Sequence, residues 1–257
     1  MTALAALLAA AEPLDHGLRV ALPSDWAQGR TTYGGLSGAI ALHAARAGDS
    51  DLPPLRSAQI SFVGPLSGTI EARARRLRRG RNTAFIEVTL TSEAGIGLAA
   101  VFVFSAAIES TIEHDTRAPA PHAPPGPDAK VFNGFPGHFT QNFQLHDIRE
   151  GAGPAEWRRW VRLRDHDGLD PDIALMAIAD ALPPAALKLT GGLTAPVSSI
   201  SWMVNLLTPR PETRDGWWLM HSVTDRAAGG FSSQRMAVWS ADGVRVADGM
   251  QGVAVFA

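Results

Sequence analysis

The chain contains no cysteine in its 257 residues. That one absence removes a disulfide framework, a thiolate metal site and a cysteine nucleophile together. Long apolar runs are also missing, and no stretch approaches the roughly 20 residues that a spanning helix needs. The opening MTALAALLAAAEP is apolar for only about ten residues and lacks a basic flank. It is expected to be a short docking helix rather than a signal peptide. Neither sign of charge dominates: 23 Lys and Arg stand against 25 Asp and Glu, a formal net charge of -2. With 46% apolar and 19% charged residues, this is the composition of an ordinary soluble globular protein. The cytoplasm is the expected compartment. The length suits one large domain or two small ones, either of which can bury a proper core.

Several standard constellations are absent too. No Gly-x-Ser-x-Gly elbow occurs, because Ser37 lies in GLSGA with its second glycine one position early. None of the eight histidines stands at metal-ligand spacing such as H-E-x-x-H, so no metal is expected. In Asp165-His166-Asp167-Gly168 the glycine comes too early for a calcium loop, and a solvated turn is the better reading. No glycine-rich phosphate loop joins a strand to a helix.

What is present is a long internal repeat. Residues 34–107 hold a small-residue helix (GGLSGAIALHAAR) followed by alternating strands, and residues 170–256 repeat that order from PDIALMAIADALPP onward. Each copy ends in a hairpin, turning at Glu93-Ala94-Gly95 or at Ala241-Asp242-Gly243. A period of this length means two copies of one supersecondary unit. Between them, RAPAPHAPPGP (117–127) has five prolines in eleven positions, a density that feeds neither ladder nor helix. The expected division is 1–115, a linker over 116–130, and 131–257. A short strand is expected near 139–147 and another, with bulky residues, over 156–165. In FIEVTLTS (85–92), Ile86, Val88 and Leu90 alternate with polar positions, the mark of an antiparallel sheet with one wet face. The first helix is slim enough to be wrapped closely by a curved sheet. The second starts with Asp170 as cap and Pro171 at its first position, and is expected to run to Pro183. One helix wrapped by a long antiparallel sheet, occurring twice, is a double hotdog of the α+β class.

Four features could carry chemistry. Asp180 falls on the apolar stripe of the second helix, after Ile173, Met176 and Ala177. A carboxylate there is costly unless bonded or neutral. It is either bonded to a local backbone amide or turned to solvent, or it is a general base whose affinity for protons its apolar neighbours raise. Ser199, Ser201 and Asn205 alternate with Val197 and Met203 as one strand face, which is either a polar pocket wall or plain solvent face. Gln251 stands among small and apolar neighbours in the last strand and needs a partner, backbone or otherwise. Finally, Arg73, Arg75, Arg76, Arg78, Arg79 and Arg81 cluster around a hairpin turn. They read as a solvated hairpin or as a receptor for a phosphate-bearing ligand. Nucleic acid is not indicated, since the rest of the chain neutralises the cluster and no recognition module surrounds it.

Together these residues resemble the acyl-CoA thioesterase II-like family of double-hotdog thioesterases, over most of the chain. Trp26, Gly29-Arg30 and Tyr33-Gly34-Gly35 resemble its approach to the first helix. LRSAQISFVGPL resembles its strand with a Pro-Gly end, with the usual histidine replaced, and RLRRGRNTAFIEVTLTSEAG resembles its Arg-x-Gly-Arg hairpin. The resemblance implies that an Asp, a hydroxyl and a Gln activate a hydrolytic water. The matching positions are Asp180, Ser199 and Gln251, with Ser201-Trp202 standing where the family has Asp-His. It further implies an acyl-CoA substrate contacted by Tyr33, Gly34, Gly35 and Arg81. The amides at Gly34-Gly35 would receive the oxyanion. No cofactor beyond the substrate's own coenzyme A is implied, and there is room for a homo-oligomer of double-hotdog chains. A non-catalytic acyl-CoA or lipid-binding protein and a hotdog enoyl-CoA hydratase are the alternatives.

Overall fold

The computed structural model describes residues 1–257 except Ser50, residues 192–194 and Ala257. The first half runs α1 (Leu4–Ala9), β1 (Glu12–Leu14), β2 (Gly17–Ala21), a ribbon of β3 (Ala27–Gln28) and β4 (Thr31–Thr32), then α2 (Gly34–Ala47). It closes with β5 (Leu55–Phe62), β6 (Thr69–Arg79), β7 (Thr83–Ser92) and β8 (Gly95–Ser105). The second half runs β9 (Phe143–Ile148), β10 (Glu156–Leu163), α3 (Pro171–Ile178), β11 (Val197–Leu206), β12 (Trp218–Ala228), β13 (Phe231–Ser240) and β14 (Arg245–Val255).

Twelve of these strands form one sheet in the order β1-β2-β6-β7-β8-β5-β11-β14-β13-β12-β10-β9. The order reads outward identically from its centre. Each half lays its post-helix strands as first, fourth, third, second, and then its pre-helix pair. Every pairing is antiparallel, and the halves join through β5 and β11, with Trp202 opposite Ile60. This is the double hotdog, two helices held inside one continuous curved sheet.

The wrapping depends on the slimness of α2. Ten of its 14 residues are buried, among them Gly35, Gly38, Ala39, Ala41, Ala44 and Ala45. A Cβ at Gly38 would lie 3.4 Å from Ile60, Met176 and Trp202, so the indole of Trp202 rests almost on the helix backbone. α3 lies antiparallel to α2. At one end Arg46 of α2 bonds both Asp170 and Asp172 at the start of α3. At the other end Tyr33, preceding α2, donates its hydroxyl to the Ala177 carbonyl of α3 at 2.9 Å. Asp170 caps α3 by accepting from the Asp172 and Ile173 amides at 3.0 and 3.3 Å, with Pro171 at the first helical position.

The N-terminal helix buries Leu4, Leu7 and Leu8. The proline-rich segment is pinned rather than free. The Trp239 indole donates to the Ala118 carbonyl at 3.0 Å, and Ala120 packs on a small cluster of Trp160, Trp217 and Trp239. Among the described residues no helix is long and apolar enough to cross a membrane.

Two expectations need correction, and one open choice is narrowed. α3 ends at Ile178, two residues before Asp180, because the chain tightens there: the Ala181 amide donates to Ile178, not Ala177. Asp180 therefore sits in the turn beyond the helix. Second, Ser199 does not share a face with Ser201 and Asn205. A bulge between Ser199 and Ser201 inserts Ile200, so Ser199 turns inward with Trp202 and Val204 while Ser201, Met203 and Asn205 face outward. Of the two readings of the Arg73–Arg81 cluster, the solvated hairpin fits better, because four of its arginines already pair with carboxylates of the sheet or of the segment after α2. Arg73 pairs with Glu71, Arg75 with Glu87, Arg76 with Asp49 and Arg79 with Asp51. Hydrogen bonds from Arg19 and Arg73 hold the Glu71 carboxyl below its ordinary range.

Candidate active site

The first turn of α2 has no cap of its own, since Tyr33 at the cap position offers no side-chain acceptor. Asp180, arriving from the other half, takes that place by accepting the Gly35 amide. A carboxylate normally caps from its own chain segment and bonds the second or third amide of the helix. Here the second amide is served across 145 positions of sequence, 180 minus 35. The two glycines make this approach feasible. A Cβ on Gly34 would stand 2.5 Å from Asp180 Oδ2, and one on Gly35 would stand 2.5 Å from the Ala177 carbonyl oxygen. Both distances are impossible for a real side chain, so the helix end can meet the carboxylate only as glycine. The positive end of the α2 dipole then faces the carboxylate.

Gln251 stands on β14 between Trp202 of β11 and Gln234 of β13. Its Nε2 donates to Asp180 Oδ1 at 2.8 Å and to Ser199 Oγ at 3.1 Å. Its Oε1 accepts from Gln234 Nε2 at 2.7 Å, and Gln234 Oε1 accepts from the Ala185 amide at 3.0 Å. Both glutamines are buried, Gln234 completely. The order of donors along this chain is fixed at its ends. A backbone N–H can only donate and an ionised carboxylate can only accept, so neither amide can be turned round without setting like against like.

Asp180 keeps limited exposure at the cleft. Burial raises its pKa from 3.8 to about 7, against the lowering effect of hydrogen bonds from Gln251 and the Gly35 amide. Protein surrounds it on most sides, so desolvation outweighs those bonds. The Tyr33 phenol is held far above its ordinary range by burial and by the Asp180 charge. It therefore stays a neutral donor.

Asp180, Ser199 and Gln251 line one cleft of about 730 Å³ together with Gly34 and Ser37 of α2. Its apolar walls include Phe62, Leu66, Leu182 and Val197. Among the described residues on the wall, Arg30 is the only charged one besides Asp180. Of the residues expected to contact substrate, Gly34 lines the cleft, whereas Gly35 is buried behind it with its amide spent on Asp180, so that amide is not free to receive an oxyanion. Tyr33 does not line it: it is 1% exposed, stacked on Phe139 at 4.1 Å with its hydroxyl spent on Ala177. It positions the helix end instead. Arg81 is exposed at the β6–β7 hairpin, outside the cleft wall.

Gln234 and Arg30 are the residues that sequence reasoning did not put in the site. Gln234 did leave a signal, since in FSSQRMAVWS it shares a face with Met236 and Val238, both buried. Arg30 left none beyond its place in a short motif.

The fold and site define a double-hotdog protein with a carboxylate, an amide and a hydroxyl converging at the start of a helix. Two family models match it: the acyl-CoA thioesterase N-terminal domain over residues 22–107 and the acyl-CoA thioesterase C-terminal domain over 114–255. The chain belongs to the acyl-CoA thioesterase family. Solved structures share the fold at low identity. A hotdog-fold protein of unknown function from Alicyclobacillus acidocaldarius has a TM-score of 0.86 at 22% identity, covering 100% of this chain and 99% of that one. The tesB protein of Mycobacterium avium subsp. paratuberculosis scores 0.79 at 19% identity, covering 98% and 97%. Acyl-CoA thioesterase II TesB2 of Mycobacterium marinum scores 0.77 at 17% identity, covering 96% of each chain. No curated protein matches the sequence at a significant level.

Proposed function

We propose that the protein hydrolyses acyl-CoA thioesters, with Asp180 as general base toward a water oriented by Ser199, and with Gln251 holding both of those side chains in place. The observation that carries this reading is the convergence of Gln251 Nε2 on Asp180 at 2.8 Å and on Ser199 at 3.1 Å, on the wall of an apolar cleft. A base with a pKa of about 7 is ionised in part at neutral pH and strong enough to take a proton from water. Ser199 accepts from Gln251 and so keeps its own hydroxyl proton free to orient that water.

The water attacks the thioester carbonyl carbon as its proton passes to Asp180. The oxyanion develops toward the start of α2, where glycine gives close backbone approach and the dipole favours negative charge. Collapse of the tetrahedral species breaks the carbon–sulfur bond, releasing the coenzyme A thiolate and a carboxylic acid. No bond to the enzyme forms, and no cofactor takes part. Phe62, Leu66, Leu182 and Val197 offer apolar wall to the acyl and pantetheine portions, and Arg30 is the cation available to a phosphate. The cytoplasm, where coenzyme A esters circulate, is the compartment this reading implies. A hydratase would need an Asp/His pair, and no histidine is among the cleft's lining residues.

The test is release of free coenzyme A thiol from a panel of acyl-CoAs of differing length and polarity. Wild type should turn over at least one member, and Asp180→Asn should lower kcat by roughly 10³-fold, within the range for a positioned base. Full activity in Asp180→Asn would remove the base from the mechanism. Tight binding with no thiol release would make the protein a carrier.

A further inference from the structure

We propose that Gln234 is a positioning residue that locks the Gln251 amide with its nitrogen toward Asp180 and Ser199. The proposal rests on the reading of Asp180 as the base, and extends it to a side chain that lines no part of the cleft.

A glutamine amide is nearly symmetric in shape, and rotating it end for end exchanges a donor for an acceptor at almost no steric cost. Only its partners choose between the two states. At Gln251 the nitrogen side meets Asp180 and Ser199, and the oxygen side meets Gln234 Nε2 at 2.7 Å. Gln234 is itself held by the Ala185 amide at 3.0 Å, the first backbone donor after Pro183 and Pro184. The lock therefore starts at a group that cannot rotate and ends at the carboxylate.

Without Gln234 the Gln251 oxygen is a buried acceptor with no donor, which is costly to leave. Opposite a leucine, turning the amide would only exchange that acceptor for two unpaired N–H donors, but an acceptor at 234 would draw the nitrogen over and set the Gln251 oxygen against Asp180. An acceptor facing a carboxylate disfavours the ionised form, so the base would hold its proton to higher pH. The groups facing Asp180 are few. The Gly35 amide donates from α2, the neutral Tyr33 phenol precedes that helix, and Gln251 donates from β14. Among the described residues, Arg30 is the only other charged one on the cleft wall.

The test compares wild type with Gln234→Leu and Gln234→Glu. Leu removes both bonds. Glu keeps an acceptor for the Ala185 amide, so the fold is supported, but when ionised it offers Gln251 an acceptor and demands its nitrogen. In Gln234→Glu the acidic limb of kcat should move up by about one pH unit, which lowers the active fraction about tenfold below the limb, whereas Gln234→Leu, which offers the Gln251 nitrogen no acceptor, should move it less. KM should stay within about twofold, because Gln234 touches no substrate. The ¹³C carboxyl resonance of Asp180 should titrate higher by the same amount. A merely structural role would lower the yield of folded enzyme and leave both titrations where they were. An unmoved limb and unmoved resonance in folded Gln234→Glu would overturn the proposal. If wild type hydrolyses no acyl-CoA, the resonance still decides the role of Gln234, and only the hydrolytic reading falls.

Discussion

The two halves carry the same ladder with opposite contents. In the second half, Trp202, Gln251 and Gln234 occupy adjoining rungs of β11, β14 and β13. In the first half, Ala58, Phe102 and Ile86 occupy the matching rungs of β5, β8 and β7. Each of β5 and β11 bulges once, and the residue before the bulge is Leu55 in one and Ser199 in the other. One frame thus holds Leu55, Phe102 and Ile86 as plain core, and Ser199, Gln251 and Gln234 as a polar relay. The relay is tolerable because its buried polar groups are bonded to one another, to Asp180 or to the Ala185 amide. The duplication supplied two equivalent positions, and only one carries polar side chains.

The two ends of the helix pair make the same point. Where α2 ends and α3 begins, Arg46 neutralises Asp170 and Asp172, a pairing that fits both helix dipoles. Where α2 begins and α3 ends, Asp180 meets only neutral donors. The first end is a clamp. At the second, a carboxylate stands without a counter-charge, the condition that the proposed base requires.

These contrasts can be broken in order of effect. Gln251→Leu makes the second ladder apolar like the first. Its loss of donors to Asp180 and Ser199 should cost roughly 10²–10³-fold in kcat/KM, measured by thiol release. Arg46→Ala cuts the clamp and strands Asp172, whose side chain is 0% exposed. Unfolding in urea should show a loss of about 2–3 kcal/mol, reduced from the full value of a broken buried pair because Asp172 can take up a proton. Hydrolysis per folded molecule should not change.

Asp180 holds its proton to about pH 7 when folded but loses it near 3.8 when unfolded. Between those values the folded state binds more protons, so this group makes stability fall as pH rises, while activity rises toward the same upper limit. Asp180→Asn should therefore raise stability at pH 8 by about 1–2 kcal/mol, discounted for its partial exposure, and flatten that part of the stability–pH curve. Phe102→Leu, at the first half's counterpart of Gln251, should cost about 1 kcal/mol and leave kcat unchanged. An activity loss there would mean that the halves are not divided as described.

Much of this was legible in the residues. The repeat, the slim helix, the Asp170-Pro171 start and the hairpin turns are local patterns with local causes. Asp180 and Gln251 stood out because polar groups on apolar faces need partners. Local pattern failed where a neighbour intervened. Strict alternation put Ser199 with Ser201, but one extra residue in the ladder reversed it. The apolar stripe carried α3 through Asp180, but the tightened final turn ended the helix first. Tyr33 read as a substrate contact, whereas its aromatic neighbours come from Phe139 and Phe143 in the other half.

The sequence by itself determined that there are two units, what each is built from, and which residues carry unusual chemistry for their surroundings. Tertiary structure alone decided which of those residues meet. Asp180, Gly35, Ser199, Gln234 and Gln251 come from five separate segments, and hydrogen bonds of 2.7–3.1 Å between side chains depend on register, bulge and helix crossing at once. No periodicity in one segment encodes those, because each is fixed by the packing of the two halves against each other.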